Sequence, residues 1–194
     1  MKNILVIQGH PDPFARHYCH ALADAFSQGA RDSGHQLKTI EVAKLNFPLI
    51  HSQDEFENTS PPEDISNAQS LIRQAEHIAI FFPLWLGTMP ASFKGFLEQV
   101  FRPNFGFDIS DPEKMPKKLL KGKSAHIYVT MGMPAIMYKR YFGAHGMKNL
   151  EHNILAFSGI KPVEFSMIGM IENKSDKKRD KWLKKARSYG QAGG

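Results

Sequence analysis

The sequence predicts a doubly wound α/β fold, with five parallel strands in the order 2-1-3-4-5 and helices on both faces of the sheet. Two observations support this class. Strand-length apolar runs alternate with segments of helical periodicity along the 194 residues, which is typical of a parallel sheet connected by helices. The clearest run, 78–82, stops at Pro83 and leads through an aromatic loop into an amphipathic helix that begins near Pro90. We expect one domain over residues 1–190 and a flexible tail at 191–194.

The first half of the chain alternates strands with helices. Apolar runs bounded by turn residues predict strands at 4–7, 36–42 and 78–82. Helical spacing of the apolar residues predicts a first helix that begins near Tyr18 and ends near Gly34. A second helix is capped by Asp64 or Ser66 and runs to about Ala75. The segment 51–62 is rich in Asp, Glu, Asn, Ser and Pro, and we expect it to be irregular.

The second half repeats this alternation with longer connections. Pro90 suits the first turn of a helix that extends to Phe101, and the segments 125–130 and 161–169 supply the last two strands. Further helices are predicted at about 150–157 and from Ser175 or Asp176 onward. The segments 102–122 and 131–149 are too long for simple turns, and loops of this length are usually functional covers or inserts.

Composition and charge narrow the class of protein. The formal net charge is +6 and the pI about 9.4, but the excess lies in a loop at 114–123 and on the last helix at 174–187, where acidic residues interrupt it. This distribution favours a solvated helix face over a nucleic-acid surface. The single cysteine excludes an internal disulfide framework. No apolar stretch has the length of a membrane span or a signal peptide, so we expect a cytoplasmic protein with no integral membrane segment.

In the predicted topology, the loops after strands 1, 3 and 4 meet at the position where such sheets bind ligands. The first loop carries His10, Arg16 and His17 just ahead of Tyr18, where a helix begins. Cationic side chains and the free amides of a helix start form an anion site. Neither a Gly-x-Gly-x-x-Gly fingerprint nor a Walker A loop is present. We predict phosphate binding here; the alternative is that both histidines are solvated loop residues.

The other two loops suit a planar ligand, because they combine apolar faces with close backbone approach. The loop after the third strand consists of Pro83, Leu84, Trp85, Leu86 and Gly87. Trp85 alone could equally be a core residue. The loop after the fourth strand forms a small turn from Thr130, Met131, Gly132 and Met133. Beyond it, Tyr138 and His145 are the hydroxyl and imidazole groups best placed to act on a ligand.

These motifs resemble the flavodoxin-like NAD(P)H:quinone oxidoreductases of the DT-diaphorase type. The matching pieces, in order along nearly the whole chain, are His10-Pro11 with Arg16-His17-Tyr18, Phe82-Pro83-Leu84-Trp85 with Pro90-Ala91 and Lys94-Gly95, Thr130-Met131-Gly132-Met133 with Tyr138, and Gly143-Ala144-His145-Gly146. Each is weak alone, but four in register are fairly specific. The resemblance implies a flavodoxin-like homodimer that binds a flavin and transfers a hydride from NAD(P)H to a quinone or similar small electron acceptor in a two-electron, ping-pong reaction.

The resemblance also implies roles for individual residues. The flavin phosphate and ribityl chain would be bound by His10, His17 and Tyr18, with Arg16 beside them. The isoalloxazine ring would lie against Pro83, Leu84, Trp85, Leu86 and Gly87, and its rim against Thr130, Met131, Gly132 and Met133. Tyr138 and His145 match the pair that stabilises charge on the reduced flavin. Phe105 and Phe107 stand where relatives place tyrosines over the substrate.

Three departures from the family pattern concern the site itself. His17-Tyr18-Cys19 replaces Ser-Phe-Asn, Thr130-Met131-Gly132-Met133 replaces Thr-Thr-Gly-Gly, and one extra residue separates Tyr138 from His145. We predict FMN over FAD, since the chain has no C-terminal extension that would hold an adenosine. The alternatives are a flavin-binding regulatory subunit of a potassium-efflux type transporter, docked through the basic last helix, and a one-electron carrier of the flavodoxin kind.

Overall fold

The computed structural model describes residues 1–111 and 113–194 and contains the predicted parallel sheet. Its strands are β1 (Asn3–Gln8), β2 (Gln36–Glu41), β3 (His77–Pro83), β4 (Ser124–Thr130) and β5 (Val163–Ile168). All neighbouring strands are parallel, in the order β2-β1-β3-β4-β5. The predicted order 2-1-3-4-5 and the edge position of the second strand are therefore confirmed.

Helices connect the strands. They are α1 (Tyr18–Asp32), α2 (Gln53–Asn58), α3 (Glu63–Gln74), α4 (Ala91–Val100), α5 (Ala135–Arg140), α6 (His145–Lys148), α7 (Ala156–Ser158) and α8 (Asp176–Ala192). A 3₁₀ turn (Val42–Lys44) follows β2, and a π-helical segment (Asn149–Leu155) joins α6 to α7. A two-residue antiparallel pair, Phe107–Asp108 with Lys117–Lys118, lies in the long segment after α4. Among the described residues, no helix has both the length and the apolar character needed to span a bilayer.

The strands divide their side chains between two separate core clusters, because successive strand residues point to opposite sides of a sheet. Ile4, Val6, Phe81 and Tyr128 pack in one cluster with residues of α1 and α8. The other cluster joins the alternate residues of the same strands, Leu5 and Ile80 among them, to residues of α3 and α4. The rigid sheet between these clusters fixes the positions of the loops at its carboxyl end.

Three segments differ from the prediction. The segment 51–62, expected to be irregular, contains α2, which is stabilised at its start by the Ser52 hydroxyl accepting a hydrogen bond from Glu55 N at 3.1 Å. The insertion after β4 contains α5. The expected loose tail is helical up to Ala192, and Lys2 Nζ donates to the carbonyl oxygen of Gly193 at 3.1 Å. Short helices are hard to predict because caps and tertiary contacts, rather than a long apolar period, define them. The single-domain boundary at 190 stays a prediction.

Candidate functional site

A cavity of about 710 Å³ lies at the carboxyl ends of β1, β3 and β4, where the three predicted loops come together. The predicted residues that line it are His10, Arg16, His17, Tyr18, Pro83, Leu84, Trp85, Thr130, Met131 and Gly132. It is also lined by Cys19, Ala21, Asp24, Ile171, Glu172 and Arg179. The topology thus places residues from distant parts of the sequence around one opening, as expected for a sheet of this order.

Asp12 organises the first loop. Its Oδ1 accepts hydrogen bonds from the backbone N–H groups of Phe14 at 2.9 Å and Ala15 at 3.1 Å, which forms an Asx turn. The neighbouring Pro11 and Pro13 restrict the backbone on both sides. On its other side, the Asp12 amide donates to Nδ1 of His10 at 3.1 Å. The Asp12 side chain, its backbone N–H and the two flanking prolines together fix the conformation of the loop.

Two histidine rings stack above this turn. The ring centroids of His10 and His17 are 4.0 Å apart, with an interplanar angle of 15°. Nε2 of His17 lies 2.9 Å from Oδ2 of Asp12, and this contact holds the pKa of the Asp12 carboxyl well below its usual range. His10 is buried, and burial together with His17 lowers its pKa from 6.5 to about 4. His10 is therefore a neutral hydrogen-bond donor at physiological pH.

The N-terminus of α1 completes the polar end of the cavity. His17 is the residue before the helix, and its backbone N–H donates to Nδ1 of His20 at 3.0 Å. The Arg16 guanidinium forms an exposed ion pair with Asp24. Its charge is consequently shared with a carboxylate, unlike the free cation expected from the sequence. Among the residues that the structure describes, no group of three or more His, Cys, Asp or Glu side chains is arranged to hold a metal ion.

Cys19 connects α1 to the third loop. Its Sγ lies 2.9 Å from Oγ1 of Thr130, and only 2% of the residue is exposed. Burial raises the pKa of the Cys19 thiol to about 12, so the thiolate needed for nucleophilic chemistry is not populated. Cys19 is a packing residue that aligns two walls of the cavity.

The second loop forms a tight turn from Trp85 to Thr88. Backbone hydrogen bonds run both ways between these two residues, at 2.9 and 3.0 Å. Leu86 and Gly87 between them have φ angles of 48° and 82°, in the left-handed region that leucine rarely adopts. Trp85 is 51% exposed and Leu86 fully exposed. Trp85 is therefore part of the cavity wall and not of the core, and its contact with a ligand stays a prediction.

The third loop is attached to the second by its backbone. Leu84 N donates to the Thr130 carbonyl oxygen at 2.8 Å. Met131 N donates to Ile168 O at 3.0 Å, and the Met131 side chain packs in the core with 3% of the residue exposed. Gly132 is exposed and leaves the wall open there. Met131 therefore contributes backbone to the site, and its side chain supports the sheet.

Several predicted site residues lie outside the cavity wall. Tyr138 is 1% exposed, and its hydroxyl donates to the Gly87 carbonyl oxygen at 2.9 Å, behind the Trp85–Thr88 turn. His145 is exposed at the start of α6, next to Gly146, which packs against that turn. Leu86, Gly87 and Met133 are also outside the lining residues.

The two phenylalanines predicted to cover a substrate are not brought to this cavity. Phe105 is 4% exposed within the core, with the Arg73 guanidinium 5.2 Å from its ring centre. Phe107 is half-buried, contacts Phe157 with centroids 5.0 Å apart, and lines a separate apolar cavity of about 340 Å³. Within one chain, neither ring faces the cavity at the strand ends. The reason is that the segment after α4 folds back over the core.

Sequence reasoning did not assign Asp12, which holds the first loop, or the additional lining residues, among them Ala21, Asp24 and three that follow β5. Asp12 was available as a signal, since Asp between two prolines is typical of a turn. Ile171, Glu172 and Arg179 follow β5 and carried no local motif. Arg179 is held by hydrogen bonds from its Nη2 to the carbonyl oxygens of Ile171 and Glu172 at 3.1 and 3.3 Å, and its own carbonyl accepts from the Tyr18 hydroxyl at 2.7 Å.

Comparison with known proteins gives consistent matches. A family described by its flavodoxin-like fold matches residues 2–191. An uncharacterized NAD(P)H oxidoreductase of Haemophilus influenzae is 31% identical over 98% of this chain and 95% of its own. The human ribosyldihydronicotinamide dehydrogenase (quinone) is 32% identical over 58% of this chain and 49% of its own. The structure of an FMN-dependent NADH-azoreductase from Bacillus anthracis in complex with FMN shares the fold, with a TM-score of 0.75 at 14% identity over 99% of both chains.

Proposed function

The chain belongs to the flavodoxin-like NAD(P)H oxidoreductases, and on that premise we propose that it passes hydride from NAD(P)H through a bound flavin to quinones or quinone-like electrophiles. The observation that carries the proposal is the meeting of three loops at one cavity, with histidines at one end and an exposed indole beside them. The relatives are named as oxidoreductases, which favours an enzyme over a transporter subunit.

The residues of the cavity fit a flavin nucleotide. A volume of about 710 Å³ is in the range of ligand pockets. His10, His17 and the first turn of α1 offer N–H donors to a phosphate. Trp85 presents an exposed aromatic face for stacking, and Gly132 allows a ring to approach the backbone. The N–H donors suit the phosphate of such a ligand, and the exposed indole beside His10 suits its aromatic ring system.

We propose FMN as the flavin, with FAD as the alternative. The azoreductase neighbour is a complex with FMN, which supports the smaller cofactor. The alternative is kept because the cavity continues past Tyr18 to Glu172 and Arg179, where a second phosphate or a ribose hydroxyl would find partners. Identification of the flavin released from the protein distinguishes the two.

The chain's own residues position the ligand and handle protons. When bound, the flavin supplies the two-electron hydride chemistry between NAD(P)H and the acceptor. We propose that His145, exposed beside the Trp85–Thr88 turn, exchanges a proton near the ring. The sequence predicts the same role for Tyr138. Because its hydroxyl donates a hydrogen bond to the Gly87 carbonyl oxygen, we propose it instead as a positioning residue that holds the turn.

We further propose a homodimer. Exposed apolar side chains extend from the Trp85–Thr88 turn over α5 and the residues after it, at Leu86, Ile136, Met137, Tyr141 and Phe142. Several exposed apolar side chains in neighbouring segments are typical of interaction sites, and a second copy of the chain is the proposed partner. Light scattering after size-exclusion chromatography tests it, and a monomer at micromolar concentration would contradict it.

Two further expectations are kept as proposals. The doubly wound arrangement, with helices on both faces of the sheet, is supported by the two separate core clusters. A cytoplasmic location is supported by the composition, because the single cysteine is typical of a reducing compartment.

The test of the function uses the purified chain. It is reconstituted with FMN and with FAD, the released flavin is identified, and oxidation of NADH and NADPH is followed with and without menadione. We expect bound flavin and oxidation that depends on menadione. Failure to bind either flavin would overturn the proposal. Flavin binding with negligible turnover would favour the regulatory subunit instead.

The role of His145 is tested by His145→Ala, with His152→Ala as a matched control because His152 is also an exposed histidine in the neighbouring helical segment. We expect His145→Ala to slow flavin reduction in stopped-flow measurements by more than it weakens flavin binding, and His152→Ala to change neither. Equal losses of reduction rate and affinity at His145 would contradict a proton-exchange role.

A further inference from the structure

The outer side of α8 carries a row of exposed lysines, which in the sequence is only a basic run interrupted by acidic residues. We propose that this lysine face binds the protein peripherally to an anionic lipid surface. Its members are Lys177, Lys178, Lys181, Lys184 and Lys185. The inference concerns a surface outside the cavity and goes beyond the proposed function.

The helical period collects these lysines on one side of α8. At 3.6 residues per turn they fall within an arc of about 120° around the helix axis. Ala186 and Gly190, the buried residues of the helix, lie on the opposite side, where Ala186 packs in a core cluster with residues of α1. The lysine face is therefore directed into solvent, and all of its members are exposed.

The acidic residues of α8 lie outside the lysine face. Asp176 and Asp180 are displaced toward one flank of the helix. Oδ1 of Asp176 is 3.8 Å from Nη1 of Arg179. Burial, with the Asp180 carboxylate adding to its effect, raises the pKa of Tyr18 to about 12, which places Asp180 on the side of α1. Within residues 1–111 and 113–194, no ammonium group of the lysine face forms an ion pair.

Carboxylates on the elements beside α8 do not neutralise this face either. Asp24 and Asp32 of α1 each pair with an arginine, although Asp24 borders the same surface depression as Lys184. Glu164 is exposed on the edge strand β5. The lysine face consequently keeps a surplus of positive charge, which is complementary to a surface of anionic headgroups.

Two aromatic side chains border the lysine face. Nζ of Lys185 lies 4.9 Å from the ring centre of Trp182 and 5.4 Å from that of Tyr189. Both aromatic residues are half-buried, so part of each stays at the surface beside the ammonium group. Trp and Tyr are enriched where proteins meet the membrane–water interface, and a cluster of about four to eight basic residues on an amphipathic helix is typical of binding to anionic lipid.

The available groups favour lipid over nucleic acid. The two arginines of α8 are both engaged within the protein, Arg179 with backbone carbonyl oxygens and Arg187 with Asp32. No guanidinium on this helix is left for the bidentate contacts that are typical of nucleic-acid recognition. A further reason rests on the proposed function, because quinones with apolar tails dissolve in lipid. Arg179 lines the cavity, so binding through α8 places the cavity beside the lipid surface.

Sedimentation of the purified chain with vesicles tests this binding. Vesicles of phosphatidylcholine are compared with vesicles that also contain phosphatidylglycerol, at about 0.1 M salt, where the Debye length is about 10 Å. We expect binding only to the anionic vesicles, and its loss at about 1 M salt, where the Debye length is about 3 Å. The measurement requires no flavin, so failure of vesicle binding and failure of the proposed function are separate results.

A triple variant removes charge from the centre of the lysine face. It combines Lys177→Gln, Lys181→Gln and Lys184→Gln. All three positions are exposed and glutamine is a good helix former, so α8 should be kept. Each basic residue near an anionic membrane changes partitioning by about fivefold. We therefore expect the triple variant to bind anionic vesicles about a hundredfold more weakly.

The matched control makes the same change in net charge in the segment after α4. It combines Lys114→Gln, Lys117→Gln and Lys121→Gln, at positions that are also exposed. We expect its binding to anionic vesicles to stay within about threefold of the wild-type value. A loss as large as that of the first variant would show that net charge, and not the lysine face, causes the binding, and would overturn the inference.

Tryptophan fluorescence reports which face meets the lipid. The chain has two tryptophans, so in a Trp85→Phe variant the emission comes from Trp182 alone. We expect this emission to shift to shorter wavelength with anionic vesicles and to stay unchanged with phosphatidylcholine vesicles. Binding to anionic vesicles without that shift would show that another face is used, and would contradict the proposal.

Other outcomes would also overturn the inference. Equal binding to both kinds of vesicle would show that anionic headgroups are not recognised, and undiminished binding of the first triple variant would show that its lysines have no part in it. Absence of vesicle binding would exclude lipid as the partner. If the chain then bound RNA and the first triple variant did not, the lysine face would be a nucleic-acid surface instead.

Discussion

Histidines occupy two contrasting regions of this molecule, at opposite ends of the sheet. His10 borders the cavity after β1, while His77 and His126 lie in the interior near the amino ends of β3 and β4. Burial lowers the pKa of all three from 6.5 to about 4. The titration behaviour of the two regions is therefore the same, and it does not by itself mark a ligand site.

The difference lies in what the rings contact. Nδ1 of His77 is 2.8 Å from Oγ of Ser124, and Nε2 of His126 is 2.9 Å from Oγ of Ser166, so these rings tie neighbouring strands together. His10 uses one nitrogen for the backbone of its loop and turns its ring to the cavity. A perturbed histidine indicates a site only where one of its nitrogens faces a space that a ligand can enter.

The largest expected effect is the loss of stability at acidic pH that the two interior histidines cause. The pKa values of His77 and His126 in the folded protein, about 4, are below the 6.5 of an exposed histidine. Between these values the unfolded chain binds protons that the folded chain does not, so stability is complete above pH 6.5 and is lost as the pH falls toward 4. We expect a loss of about 2 kcal/mol for each histidine between pH 7 and 5, measured as the free energy of unfolding in urea.

His126→Gln provides the control for this measurement. The substitution should remove the contribution of His126 to this pH dependence. The variant should therefore lose less stability than the wild-type protein over the same pH range. An identical pH dependence in the two proteins would show that other groups cause the loss, and that the interior histidines are not neutral partners of the serines.

The next largest effect comes from removing one histidine from each of the two regions. His126→Ala leaves the Ser166 hydroxyl without its partner, and we expect a loss of about 2 kcal/mol in the free energy of unfolding with little change in FMN affinity. His10→Ala should do the reverse, weakening FMN binding by about ten- to thirtyfold and changing stability by less than about 1 kcal/mol. Urea unfolding and fluorescence titration of both variants decide the comparison. Similar profiles for the two would abolish the distinction between the regions.

The smallest effect concerns a buried group at the cavity end that is not a histidine. Tyr138→Phe removes only the hydrogen bond to the Gly87 carbonyl oxygen. We expect a loss of about 1 kcal/mol in stability, together with a change in the fluorescence of the tryptophan on the turn, measured against the Tyr141→Phe control, whose side chain is exposed. If the variant instead reduced FMN much more slowly while its stability fell only slightly, Tyr138 would again be a candidate for proton transfer.

The fold could be predicted because its signals are periodic. Five apolar runs and the helices between them fixed the topology, and the sheet order followed from general rules of chirality and connection. What could not be predicted were short elements such as α2 and α5. They depend on a single cap or a local contact, and neither leaves a period in the sequence.

For the site, the sequence located the loops but not the direction of each side chain. Ten residues named from the three loops line the cavity, whereas Tyr138 turned inward and Phe105 entered the core. The wall after β5, with Glu172 and Arg179, has no local motif, since its contribution arises only when α8 packs beside α1. Residues that are far apart in the sequence and meet only in the folded structure leave no local pattern from which they could be predicted.

The packing of Gly146 against the Trp85–Thr88 turn has an evolutionary consequence. A Cβ on Gly146 would lie 2.5 Å from the carbonyl oxygen of Gly87 and 2.9 Å from Cα of Thr88, so no larger residue fits while the turn keeps its shape. The helix that begins at His145 and the loop that carries Trp85 are therefore coupled by packing. A change in the length of one requires a compensating change in the other. A larger residue at position 146 should therefore be tolerated only together with a change in the shape of the Trp85–Thr88 turn.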